Sequence, residues 1–338
     1  MRLARSSQIK HPSGALLKTP LLVPAFSSKG SRFTRGGKSE ITDALATSAE
    51  FLTDTMLVSA YDIYYEHIPH PMRFGLRPEI TFVDSGGYET ADEHDLSAVY
   101  RHTGPVRKWT EALLVRILDK WPARLPAVFV SFDHGGVRKS LKGQIKEARK
   151  MFARYPNQLH EIILKPERRG ERTLGKTLAK VLSCLEDLRG FHLIGMTEKE
   201  LGSSVLERME RIAELRLALD RTGITAPLHI FGSLDPVTSC LYFISGAEVF
   251  DGLTWLRYSY VDGRSVYMHD YGALRIGIHE RDELVRARTL ADNINYLQKL
   301  RFQMQAFLLQ GEFGKFENNG AALAQAYDAL RGKIGGTI

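Results

Sequence analysis

The sequence predicts an α/β fold, a (β/α)8 TIM barrel with a β-hairpin insertion after strand eight and a C-terminal helical segment. Three observations predict it. Short apolar, β-branched runs recur eight times along the 338 residues, and helix-forming stretches separate them. The first run also lacks the Gly-rich phosphate turn with which a doubly wound sheet opens, having Ser27-Ser28-Lys29-Gly30-Ser31-Arg32 instead.

The expected strands are 21–26, 55–60, 80–83, 127–132, 161–164, 191–194, 228–231 and 248–253. Each is short and largely apolar, as strands covered on both faces require. Segments 144–154, 174–188 and 205–219 are rich in Leu, Ala, Glu, Lys and Arg and are read as helices. After the eighth strand, large and polar residues alternate over 257–271 around Asp262-Gly263, a pair suited to a tight hairpin turn. The spacing of Leu290, Ile294, Leu297, Met304, Phe307 and Leu308 predicts a long final helix over 290–313, and Gly-rich 332–338 a frayed end. One domain over 1–338 is expected, with 256–281 as the hairpin insertion and 282–330 as C-terminal helices.

Composition narrows the function classes. With 43% hydrophobic and 25% charged residues the chain is globular in type, and its net charge of +7 favours a polyanionic partner. Cys184 and Cys240 lie far apart without metal-type spacing, which excludes a disulfide framework or Cys-rich zinc site within the chain and fits small buried hydrophobes. No run of about 18 apolar residues occurs and no apolar stretch follows Met1, so no membrane partner and a cytoplasmic location are expected.

Chemistry in such a barrel is built at the C-terminal ends of the strands. Three carboxylates fall there: Asp84 in Val83-Asp84-Ser85-Gly86-Gly87-Tyr88, Asp133 in Phe132-Asp133-His134-Gly135-Gly136, and Asp251 in Phe250-Asp251-Gly252. A single aspartate before glycine serves as a turn former or helix cap. Three on one mouth, each behind an apolar run, point instead to groups whose partial burial tunes them as nucleophile or general base. Basic residues crowd the loops of the same face: Lys29, Arg32, Arg35 and Lys38, then Arg138, Lys139 and Lys142, then Arg168, Arg169 and Arg172. Each run alone is a solvated charge cluster; on one face together they fit a phosphate backbone lying across the mouth. His67 and His70 are metal-ligand types in a Pro-containing loop, but are expected as solvated histidines, so no metal or cofactor is expected.

These residues resemble the tRNA-guanine transglycosylase (queuine/archaeosine tRNA-ribosyltransferase) superfamily, which exchanges guanine in a polynucleotide for a 7-deazaguanine. Asp84-Ser85-Gly86-Gly87-Tyr88 is close to the family's Asp-Ser-Gly-Gly-Phe/Tyr-Gln motif, with Glu89 in place of Gln. Weaker likenesses are His11-Pro12-Ser13-Gly14, Thr19-Pro20 and Val23-Pro24-Ala25 near the start, Phe132-Asp133, Ile194-Gly195, Ile230-Phe231-Gly232, Val249-Phe250-Asp251 with Arg257, and Asn293-Ile294-Asn295-Tyr296. The resemblance implies that Asp251 attacks C1′ of the sugar and Asp84 handles the proton of the departing and incoming bases. It implies that Asp133 reads the base edge in a pocket shared with Ser85, that Tyr88 and Phe231 sandwich the ring, and that Gly195 and Gly232 let the backbone approach it. Arg257, Arg168, Arg169, Lys29 and Arg32 would hold the nucleic-acid backbone.

Departures from the family pattern bear on the substrate. The three-Cys, one-His zinc site of tRNA-acting members is missing; 256–281 holds His269 and His279 and no cysteine, with Tyr258, Tyr260, Tyr267 and Tyr271 packing in its stead. This places DNA, as for the family's DNA-modifying paralogues, slightly ahead of tRNA as the partner, with a homo- or hetero-oligomer open. Lys165 stands where the family has Gln, and Met196 where it has a second Gly, both pocket positions. Two other readings compete: a noncatalytic nucleic-acid-binding subunit on the same barrel, and a barrel glycoside hydrolase using the same carboxylates.

Overall fold

The computed structural model describes residues 3–29, 31, 33, 39–73, 78–91, 106–133, 138–167 and 175–335, with the backbone alone for 175–177. A short hairpin, β1 (Gln8–Lys10) and β2 (Leu16–Lys18), leads into eight parallel strands. These are β3 (Leu21–Phe26), β4 (Thr55–Ser59), β5 (Ile80–Asp84), β6 (Ala127–Val130), β7 (Leu159–Leu164), β8 (Leu193–Thr197), β9 (Leu228–Phe231) and β10 (Val249–Gly252). They close into a barrel in chain order, β10 pairing with β3 in the register Val249↔Leu21 to Gly252↔Pro24. Helices surround it, so the fold is an α/β TIM-type barrel.

Two apolar layers follow from the period of two along each strand. Outward residues such as Phe26, Val58, Phe129, Ile230 and Phe250 pack under the helices. Inward residues such as Leu21, Leu57, Phe82, Val128, Ile163 and Val249 fill the barrel, and Ile9 and Leu17 of the β1–β2 hairpin pack against them. The same alternation gives Asp84, Glu161, Gly195, His229 and Asp251 the inward parity, which is how four ionisable side chains come to share an interior otherwise packed with Leu, Val and Phe.

The helix boundaries differ modestly from expectation. Leu141–Phe152 starts at Ser140, whose Oγ accepts from Gly143 N at 3.2 Å, and Val205–Arg221 starts at Ser204, whose Oγ accepts from Glu207 N at 3.1 Å. The stretch expected as one helix over 174–188 is a helix Gly175–Ser183 and a 3-10 turn Leu185–Leu188, divided where Cys184 leaves helical geometry (φ −137°, ψ 37°). Cys184 is half-buried, whereas Cys240 is fully buried.

Beyond β10 lies the hairpin of β11 (Ser259–Val261) and β12 (Arg264–Val266), turned by Asp262 and Gly263 at φ 49° and 82°. Positive φ at both central residues is the signature of a type I′ turn. The hairpin docks on the helix Asp282–Gln310 through Asn293, which accepts from Tyr260 N at 2.8 Å and donates to the carbonyls of Trp255 and Tyr258 at 2.7 Å each. Tyr260 and Tyr271 are buried there, while Tyr267 is exposed. That helix is not the last: it stops at Gly311 (φ 75°), and a further helix, Gly320–Ile334, takes in the start of the segment expected to fray. Among the described residues no helix is long and apolar enough to cross a membrane.

Candidate active site

Asp251 enters the barrel near the end of β10 and is 6% exposed. Its Oδ1 accepts from Gly232 N at 3.2 Å and lies 3.3 Å from His229 Nε2. Gly232 turns the chain just after β9 at φ 82°, a conformation open to glycine, and so aims its N–H at the carboxylate. His229 is itself fully buried, with its Nδ1 2.8 Å from Oε1 of Glu161 on β7, another fully buried side chain. A chain of alternating charge, Glu161–His229–Asp251, thus crosses the barrel interior. Burial alone would lower the imidazole pKa, but the Glu161 and Asp251 carboxylates outweigh it and raise it to about 9. Burial pushes Glu161 up from the usual carboxylate range, with His229 opposing the shift.

Asp84, at the end of β5, has a different environment. Its Oδ2 accepts from Gly86 N at 3.1 Å, and around it stand like charges. Glu89 is buried with Oε1 hydrogen-bonded by Ser27, and Asp62 is buried with Oδ2 accepting from Ser28 N at 2.7 Å. Burial first, then repulsion from Glu89, and lastly the fields of Asp251 and Asp133, raise Asp84 to about 7. Burial and Glu89 hold Asp62 well above the carboxylate range, and burial raises Glu89. Asp84 is therefore a group able to hold a proton near neutrality and give it up, the requirement for a general acid that becomes a base.

Asp133 belongs to a third cluster. Its Oδ1 is 2.9 Å from Arg138 Nη1 and its Oδ2 is 3.0 Å from Lys165 Nζ; the same two cations hold Glu200, at 3.0 and 3.1 Å. Two cations and two carboxylates form a ring in which every charge has two opposite neighbours, Lys165 and Glu200 buried and Arg138 and Asp133 half-buried. Although burial opposes it, Lys165 and Arg138 draw Asp133 below the usual carboxylate range. Lys165 is raised despite its own burial, by Asp133 and Glu200. Glycine is needed at position 87 because a Cβ there would lie 2.7 Å from Cβ of Asp133.

Several expected site residues sit otherwise than the sequence implied. Phe231 stacks on His229 with ring centroids 4.0 Å apart, so one ring face is already covered. The space beside Gly195 is taken by Phe231 and Glu161, since a Cβ there would meet them at 2.4 and 2.8 Å. Met196 has outward parity and packs beneath the helices, away from the pocket. Ser85 is buried, its Oγ accepting from Asp133 N at 3.3 Å and its carbonyl from Trp109 Nε1 at 2.7 Å. Tyr88 is half-buried against the inner core, and its hydroxyl accepts from Arg257 Nη2 at 3.0 Å.

The basic rim also changes. Lys29 is 4% exposed and its ammonium donates to the carbonyls of Tyr88 and Ala91 at 2.7 and 2.6 Å, which removes it from the surface a phosphate would contact. Arg138 turns inward to the ring just described, and Lys139 pairs with Glu147. Arg32, Arg35, Lys38, Arg168, Arg169 and Arg172 lie outside the described residues. His67 is buried edge-on against Phe33 rather than solvated, and His70 Nδ1 accepts from Met72 N at 3.3 Å. Among the described residues no group of three His, Cys, Asp or Glu could hold a metal; His269 has only exposed Asp282 as a neighbour of that kind, so 256–281 does not fit a zinc site.

The sequence reading missed Glu161, His229, Glu200 and Asp62. A signal was there for the first two: a charged residue on the inward parity of a buried strand must find a partner. No family model matches the chain, and no curated protein matches it.

Proposed function

We propose that the chain is a nucleic-acid guanine transglycosylase, exchanging guanine for a 7-deazaguanine such as 7-cyano-7-deazaguanine through a covalent bond between Asp251 and the sugar. One observation carries the reading: Asp84 and Asp251 share the barrel mouth in opposed environments, one raised to about 7 by burial and like charges, the other flanked by an imidazole and a backbone N–H. An acid and a nucleophile are what base exchange needs. Asp251 attacks C1′ as the glycosidic bond breaks, its electron pair passes to the base, and Asp84 supplies the proton there; the incoming base reverses these steps. The target nucleotide must be flipped out to reach them.

The likeness of Asp84-Ser85-Gly86-Gly87-Tyr88 to the family motif supports this choice among reactions. The absence of a Cys-based zinc site favours DNA slightly over tRNA. Asp133 retains lone pairs for the N–H edge of guanine even while Lys165 and Arg138 hold both its oxygens. The engagement of both oxygens by cations favours the second reading, a noncatalytic nucleic-acid-binding subunit.

Incubation with labelled guanine or labelled 7-cyano-7-deazaguanine and, in turn, duplex DNA, single-stranded DNA and tRNA separates the two. Label entering one polymer supports exchange. Binding of polymer with no label incorporated, and no free base released, overturns it in favour of the subunit.

A further inference from the structure

We propose that His229, clamped by Glu161, is the positioning residue of the reactive carboxylate: it holds Oδ1 of Asp251 and leaves Oδ2 as the attacking atom. The inference deepens the transglycosylase reading and rests on it for the identity of the reaction. Its ground is geometric. Both ring nitrogens of His229 face carboxylate oxygens, Nδ1 at 2.8 Å and Nε2 at 3.3 Å. A neutral imidazole would turn a lone pair towards one of them, so the arrangement calls for a proton on each nitrogen. Gly232 N donates the hydrogen bond to that oxygen, Oδ1, at 3.2 Å, while Nε2 faces it at 3.3 Å as an ion-pair neighbour without a formed hydrogen bond. Oδ2 has no hydrogen-bond partner among the described residues.

Glu161 supplies the second observation. Its Oε2 is buried without a hydrogen-bond partner, and its Oε1 serves His229. Of the elements around His229, β7 brings Glu161 and β10 brings Asp251 as charged groups, while β5 presents the Phe82 ring and β8 presents Gly195. The imidazole pKa of about 9 agrees with this surrounding.

In the reaction, Oδ2 forms the bond to C1′ and the C1′–N bond breaks, its pair leaving with the base and taking the Asp84 proton. Oδ1 becomes the ester carbonyl and keeps the Nε2–H contact. When the incoming base displaces the ester, the electron pair returns to a carboxylate that the imidazolium already faces. His229 keeps its proton throughout and speeds both halves of the exchange.

The test is ¹⁵N NMR of the imidazole in the full-length protein, joined to exchange kinetics. The expected spectrum has His229 protonated on both nitrogens at pH 7.5, with its pKa falling by about one unit or more in Glu161→Gln and in Asp251→Asn. A single neutral tautomer at that pH, or a titration indifferent to both variants, overturns the proposal. In His229→Gln, kcat for exchange falls by roughly 10²-fold with KM for the polymer unchanged, and the loss of wild-type rate above pH 9 disappears. An unchanged kcat with altered KM overturns it. If the wild-type protein exchanges no base, the transglycosylase reading fails, and the NMR titration still decides whether His229 and Asp251 are coupled.

Discussion

The two ends of the barrel mouth use one residue type in opposite ways. At β5, Asp84 is surrounded by Asp62 and Glu89, so charge is crowded and protons are retained. At β10, Asp251 closes a line in which Glu161 and His229 alternate in sign, so each charge faces an opposite one. The sequence singles out both aspartates but does not show how their surroundings differ. Their neighbours divide the work, and the like-charge cluster beside Asp84 depends on Glu89, the position where the resembled family carries Gln.

The largest effect that would break this contrast is loss of the proton from the β5 side. Asp84→Asn should lower the exchange rate by about 10²–10⁴-fold while leaving polymer binding intact. It should also remove a pH dependence of stability. Between pH 3.8 and about 7 the folded protein keeps a proton on Asp84 that the unfolded chain has released, so stability falls as pH rises through that window. A Tm series across it should be flatter in the variant. His229 acts in the same direction at higher pH: its stabilisation is complete below about 6.5 and lost as pH rises through about 9.

A sharper probe leaves both aspartates in place. Glu89→Gln removes the largest like charge acting on Asp84, and the pKa of Asp84 should fall by about one unit towards its ordinary value, moving the pH–rate profile with it. An unmoved profile would mean that burial alone sets the acid. The smallest effect belongs to the β10 side: Gly195→Ala pushes a methyl group between Phe231 and Glu161 and should cost about 1–3 kcal/mol in urea unfolding. Its exchange rate should fall because the wedge displaces the Glu161–His229 contact.

Much of the frame was readable beforehand. The first strand and the seventh match residue for residue, because continuous apolar runs bounded by polar loops leave little choice of register. Asp84 and Asp251 were also legible, as carboxylates following such runs. The pairing of Lys165 with Asp133 and Glu200 was not, since segments following three different strands meet there and no spacing along the chain encodes it. The inward turn of Lys29 was hidden for a related reason: a lysine in a basic loop looks solvated until carbonyls such as those of Tyr88 and Ala91 come within reach. Glu161 and His229 could have been found by asking what neutralises a charge inside a buried strand.

The most direct test of the whole account is to trap the protein on its polymer in the presence of a 7-deazaguanine, denature, digest and locate the sugar by mass spectrometry. The account predicts a denaturation-resistant adduct on the peptide carrying Asp251, lost in Asp251→Asn. A complex that dissociates on denaturation, or an adduct on another residue, would contradict it.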